Sequence, residues 1–170
     1  MTVVYTIGYE GTDIHRFIET LKVVGVTTLA DVRAVALSRK KGFSKSALQA
    51  RLEDEGIAYA HFVELGDPKP GREAARAGRH EAFRKIYARH LEGAGSKAAL
   101  KSLAELVESK PTCLLCFERD PATCHRALIA NRLTMDGVKI FHLFADDPSR
   151  YARHAPKLPR HHTRQSAPTA

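Results

Sequence analysis

Apolar residues recur along this chain in two rhythms, and the alternation between them predicts a layered α/β fold. Val3-Val4-Tyr5-Thr6-Ile7 is a β-branched and aromatic run that stops at Gly8-Tyr9-Glu10-Gly11, a turn. Beyond it Ile14, Phe17, Ile18 and Leu21 return at helical spacing, with Thr12 placed to cap that helix and Gly25 to stop it. The unit then repeats. Thr27 to Arg33 reads as a second strand, a helix capped by Ser44 carries Leu48 and Leu52 inward, and Ile57 to Phe62 is a third strand.

Residues 63–78 hold Gly66, Gly71 and Gly78 with Pro68 and Pro70, and are expected to form a long mobile loop or lid. Two helical stripes follow: Phe83, Ile86, Tyr87 and Leu91, then Leu100, Leu103, Ala104 and Val107 with Ser96 as cap. Thr112-Cys113-Leu114-Leu115 is a buried strand. Asp120-Pro121 is an N-cap followed by a proline at the first helical position, opening a helix to about Met135. Val138 to Leu143 is the last strand. Strands alternating with helices imply a mainly parallel sheet of about five strands with helices on both faces, joined by right-handed crossovers. The expected organisation is a single domain over residues 1–146 and a basic, flexible tail over 147–170.

Composition narrows the function classes. With 170 residues, 44% hydrophobic and 27% charged, the chain is long enough to bury a proper core. No apolar run is long enough to span a bilayer and the N-terminus carries no export signal pattern, so no membrane partner and a cytoplasmic location are expected. The net charge of +8 is concentrated at the end, where Arg150, Arg153, Lys157, Arg160 and Arg164 follow Pro148 without an acid. Such a tail suits either loose contact with phosphate backbones or plain solvation. Three cysteines argue against a disulfide framework. Cys113 and Cys116 have C-x-x-C spacing, but on a strand they point to opposite faces; Cys113 belongs to the core, and Cys116 stays a candidate site residue.

Parallel strands bring their carboxyl ends to one rim, and polar residues are concentrated there. Tyr9 and Glu10, Asp31 and Arg33, His61 and Glu64, then Glu118, Arg119, Cys124, His125 and Arg126 follow successive strands, with His142 and Asp146 after the last. Packing alone rarely puts so many ionisable groups at strand ends.

Thr6-Ile7-Gly8-Tyr9-Glu10-Gly11, Asp31-Val32-Arg33 with Ser38-Arg39, Gly42-Phe43-Ser44, His61 with Glu64-Leu65-Gly66, and Leu115 to Pro121 with Cys124-His125-Arg126 together resemble the bacterial and archaeal family called domain of unknown function 488. The resemblance covers residues 5 to about 142. The family has a proline ahead of Ser-Arg where this chain has Ala36 and Leu37. It implies no reaction, but it carries over polar positions: Tyr9, Glu10, Asp31, Arg33, Ser38, Arg39, Glu64, Glu118, Arg119, Cys124, His125 and Arg126.

Each candidate has two readings. Asp31 and Arg33 form either a structural salt bridge or an oriented guanidinium for a phosphate, with Arg39 and Arg126 completing the clamp. Glu118 is an acid or base, or an ion-pair partner of Arg119 or Arg126. His125 shuttles protons or bonds the backbone. Cys124, beside His125 at a helix start, is an activated thiol or a small buried hydrophobe. The Cys-x5-Arg arrangement of tyrosine phosphatases is missing, since Ala122 stands at the arginine's place after Cys116. Cys116, Cys124, His125 and His61 offer metal ligands without a zinc-enzyme spacing, so no metal is assigned. No Walker A or G-x-G-x-x-G sequence occurs, and the cofactor is unknown. Two functions stand. One is an enzyme on a phosphorylated or nucleic-acid substrate using Glu118, His125 and Cys124; the other is a non-catalytic nucleic-acid binder using the tail and an anion-binding rim. The oligomeric state is unspecified.

Overall fold

The computed structural model of the protein describes residues 1–134, 137–154, 158–159 and 161. Five strands, β1 (Val3–Gly8), β2 (Thr28–Asp31), β3 (Ala58–His61), β4 (Thr112–Cys116) and β5 (Lys139–Phe144), pair in the order β3-β2-β4-β1-β5, every pairing parallel. β4 lies between β1 and β2, so it is covered on both sides and reads as the continuous apolar run Thr112-Cys113-Leu114-Leu115-Cys116, all buried.

Pleat alternation sorts the side chains into two cores. Tyr5, Ile7, Leu29, Cys113 and Leu115 face α1 (Ile14–Val24) and α2 (Lys45–Asp54), meeting Phe17, Leu21, Leu48 and Leu52. Val4, Ala30 and Leu114 face the other way. There they pack under α3 (Lys69–Arg76), α4 (His80–Leu91), α5 (Ala94–Ser109) and α6 (His125–Leu133), through Ala74, Phe83, Tyr87, Leu103 and Ile129. Cys113 and Cys116 do point to opposite faces. The connection leaving β1 thus runs over one face and that leaving β4 over the other. At the carboxyl ends of two such neighbours an open α/β sheet leaves a crevice.

Several local expectations are corrected. Asp13, not Thr12, caps α1, accepting from the Arg16 N–H at 2.9 Å, while the Thr12 hydroxyl donates to the Ala145 carbonyl at 2.7 Å. The hydroxyl one residue earlier is spent on tying β5. Residues 63–78 are not a lid. Val63–Leu65 is a 3-10 turn and Lys69–Arg76 a helix, with Leu65 and Ala74 buried. Pro70 sits in the first helical turn, where its missing N–H costs nothing, and Gly71 is where the Asp67 carboxyl crosses the helix, so a Cβ there would lie 2.1 Å from Asp67 Oδ1. Ser96 lies inside α5, whose N-cap is Gly93, and its hydroxyl donates to the Glu64 carbonyl at 3.1 Å.

Asp120-Pro121 opens only the 3-10 turn Pro121–Thr123; the helix proper starts at His125, with Cys124 as its N-cap residue. Packing also continues past residue 146. α7 (Ser149–Arg153) buries Tyr151, whose hydroxyl accepts from the Phe144 N–H at 2.7 Å. Most of the tail beyond it lies outside the described residues. No helix among them is long and apolar enough to cross a membrane.

Candidate functional site

β4 ends at Cys116, the chain turns through Phe117-Glu118-Arg119, and the 3-10 turn returns it as Cys124-His125 at the head of α6. This loop folds two sulfurs onto one imidazole. His125 Nε2 donates to the Val32 carbonyl at 2.6 Å, because a carbonyl can only accept, and that fixes the ring with Nδ1 toward the thiols. Nδ1 lies 3.6 Å from Cys116 Sγ and 3.7 Å from Cys124 Sγ. Tyr87 packs edge-on against the ring at 5.3 Å. Cys116 Sγ donates to Glu118 Oε2 at 2.9 Å.

These groups form the floor of a cleft at the carboxyl edge of the sheet. One lobe, about 310 Å³, is lined by Glu118, Cys124 and His125 with Asp67, Arg72 and Arg76; a second, about 500 Å³, shares Asp67, Arg72, Arg76, Glu118 and His125 and extends past Cys116 to Tyr9 and Phe117. Val35, Leu37 and Phe117, all exposed, form an apolar lip on the second lobe. The cleft is therefore polar at its base, cationic at its mouth and apolar on one side.

Burial pushes the Cys116 thiol up, reinforced by Cys124 and Glu118. Burial also opposes ionisation of Cys124, but the Cys116 hydrogen bond and His125 outweigh it and hold that thiol well below its ordinary value. His125 is displaced the other way: despite burial, Cys124 draws it up to about 9. Glu118 is raised, first by burial and then by Cys124.

Asp67 completes the wall. Burial lifts its carboxyl to about 6, against nearby His125, Arg72 and His90 and with Cys124, and Oδ1 has no hydrogen-bond partner among the described residues. Its folded-state value lies above the ordinary 3.8, so ionisation costs the folded state stability, and that loss sets in as pH rises from about 4 through about 6. Asp67→Asn is expected to stabilise the protein by up to about 3 kcal/mol at pH 8 and to change little at pH 4. Urea unfolding at both pH values, in buffer cleared of metal ions, checks this; equal effects at both would overturn it.

Asp31 and Arg33 are joined by a salt bridge. Arg33 Nη2 meets Asp31 Oδ2 at 2.7 Å and Nε meets Oδ1 at 2.9 Å, while Nη1 donates to the Phe43 carbonyl at 2.7 Å and to Tyr9 Oη at 3.4 Å. Both residues are buried. Arg126 is fully buried too, its guanidinium turned onto the carbonyls of Glu118 and Arg119 and onto Thr6. Arg33, Arg39 and Arg126 thus do not converge on a common ligand position: Arg39 is exposed and lines neither lobe. Arg119 pairs with Asp146 at 3.1 Å over the Phe144 ring, outside the cleft. Ser38 bonds Ser44 and Lys40 within its loop, Glu10 and Glu64 are exposed, and His61 Nε2 donates to the Arg33 carbonyl. Of the candidates, Tyr9, Arg33, Cys116, Glu118, Cys124 and His125 line the cleft.

The residues that sequence reasoning missed are Asp67, Arg72 and Arg76, all in the stretch taken for a lid. Their signal was present: Pro68-Lys69-Pro70 reads as a helix start, and arginines four apart share a helix face.

Residues 13–133, from the cap of α1 to the end of α6, match the family described as Domain of unknown function DUF488. The chain belongs to this family. The matched stretch contains every cleft residue named above except Tyr9, so the DUF488 domain itself carries the thiol–imidazole floor. No curated protein matches, and no solved structure matches.

Proposed function

We propose that this DUF488 protein is an enzyme that takes a phosphate-bearing substrate into the cleft, with the phosphate on Arg72 and Arg76 and the reaction at the cluster of Glu118, Cys124 and His125. The observation that carries this is the cleft's polarity: two arginines at the mouth of a pocket whose floor holds a carboxyl, two thiols and an imidazole. A guanidinium is a planar donor suited to phosphate oxygens. Glu118, which lines both lobes, is the group positioned to take or give a proton. The apolar lip of Val35, Leu37 and Phe117 suits a flat or apolar substrate portion, a nucleobase included.

The test is a panel of nucleotides, sugar phosphates and short oligonucleotides, read by thermal shift for binding and by mass spectrometry for products. Arg72→Ala combined with Arg76→Ala should weaken binding of the best compound about 100-fold, at about 1.5–3 kcal/mol for each charged hydrogen bond. Glu118→Gln should bind it and lose turnover. Failure of every phosphate compound to bind, or full turnover by Glu118→Gln, would refute the reading. The competing role, a non-catalytic nucleic-acid binder, draws on exposed Arg76, Arg79 and Arg84 along α3 and α4. Oligonucleotide affinity falling steeply with salt, with no product formed, would favour it.

A further inference from the structure

We propose that Cys116, Cys124 and His125 are the three protein ligands of a zinc-type divalent cation, whose fourth coordination position opens into the cleft. Sulfur and nitrogen atoms bound to one tetrahedral zinc, at about 2.3 Å and about 2.0–2.1 Å, stand about 3.6 Å apart. Nδ1 of His125 is 3.6 Å from one sulfur and 3.7 Å from the other, and the three ligand atoms all lie within 4.8 Å of one another. Both nitrogen–sulfur spacings needed to share one ion are already built.

The surroundings agree. A metal-ligating imidazole commonly donates its second N–H to a carbonyl, which fixes its orientation and its lone pair. Here Nε2 is committed to Val32, leaving Nδ1 to face the sulfurs. Two thiolates and an imidazole are borderline-soft donors that select zinc over magnesium or calcium. Three protein ligands leave one position open, as in catalytic rather than structural zinc sites. It faces the lobe that Cys124 and His125 line. Asp67, nine-tenths buried with an Oδ1 that has no hydrogen-bond partner among the described residues, lines the same lobe and adds a carboxyl to the wall around a cation. No contiguous zinc motif announces the set, because β4 supplies one ligand and the residues at the head of α6 the other two.

This deepens the proposed function by naming what the reacting cluster is built on, and it turns Cys124 from a nucleophile into a ligand. The experiment uses the full chain, reduced, freed of metal by a chelator and titrated with cobalt(II). Expected is one equivalent bound, with a thiolate-to-cobalt charge-transfer band and the visible bands of a tetrahedral ion, all bleached by zinc. Cys116→Ser and Cys124→Ser should each cut the charge-transfer intensity to about half or weaken binding at least 100-fold, whereas Cys113→Ser, altering a thiol on the opposite face, should leave both intact. Should the serine variants fail to fold, X-ray absorption on the zinc-loaded wild type decides: two sulfurs and one imidazole nitrogen support the site, and a shell of oxygen and nitrogen alone overturns it. So would binding below one equivalent, or a Cys116–Cys124 disulfide whose reduction restores no metal binding. Phosphate binding lost in the Arg72/Arg76 variant with cobalt spectra unchanged keeps the two proposals separable, since either can fail alone.

Discussion

Asp31→Ala is expected to cost about 3–5 kcal/mol of stability, a fall in melting temperature of roughly 10 °C or more for a chain of this size. Asp31 is fully buried and accepts from Arg33 three times, from its backbone N–H, Nε and Nη2, and also from the Tyr59 hydroxyl. Arg33 is buried and is held above its ordinary range because Asp31 outweighs the burial that opposes its charge. Without the carboxylate that charge stays inside with only the Phe43 carbonyl and Tyr9 to meet it, and an uncompensated buried ion is what makes such truncations severe. Removing both partners, as Asp31→Leu with Arg33→Met, should recover most of the loss, since a well-packed apolar pair can equal a buried ion pair. Urea denaturation of the three proteins checks this. A single mutant within about 1 kcal/mol of wild type would mean that water reaches Arg33 and the bridge is not a dry one.

The fold was largely legible because burial on both faces of a parallel sheet leaves a strong mark. Val3 to Ile7 and Thr112 to Leu115 are apolar-rich runs buried throughout, and Phe17, Ile18 and Leu21 fall on the buried face of α1. The errors lie where one residue type serves two ends. Gly71 and Pro70 look like breakers, yet the proline occupies a helical first turn and the glycine makes room for Asp67. Reading them as a lid hid Arg72 and Arg76, the arginines that line both lobes. The converse error concerns arginines that were seen. Proximity along a rim does not reveal which way a long side chain turns, and Arg33 and Arg126 turn inward to carboxylate and carbonyl oxygens. Cys116, Cys124 and His125 were legible as ligand types, grouped with His61, but their meeting depends on the 3-10 turn Pro121–Thr123 folding the loop back on β4, where Asp120-Pro121 suggested a continuous helix.

Arg126 supports the sharpest separation between those readings. If it bound substrate phosphate, its replacement would lower affinity and spare stability; buried as it is, the opposite is expected. Its guanidinium holds the carbonyls of Glu118 and Arg119, the latter at 3.0 Å, and Nε donates to Thr6 Oγ1 at 3.3 Å, pinning the turn after β4 across β1. Gly8 lies directly below that turn, so close that a Cβ on it would stand 1.8 Å from the Glu118 carbonyl oxygen. Arg126→Ala leaves these acceptors unpaired and opens a cavity, for a loss of about 3–5 kcal/mol. Arg126→Met fills the cavity and removes the buried charge but still strands the two carbonyls, so its loss should be smaller, about 2 kcal/mol. Inorganic phosphate, titrated calorimetrically at a temperature where Arg126→Met is folded, should bind within about twofold of wild type because the side chain has no exposed surface. A stable Arg126→Met with phosphate affinity reduced tenfold or more would reverse the assignment and return this arginine to the cleft.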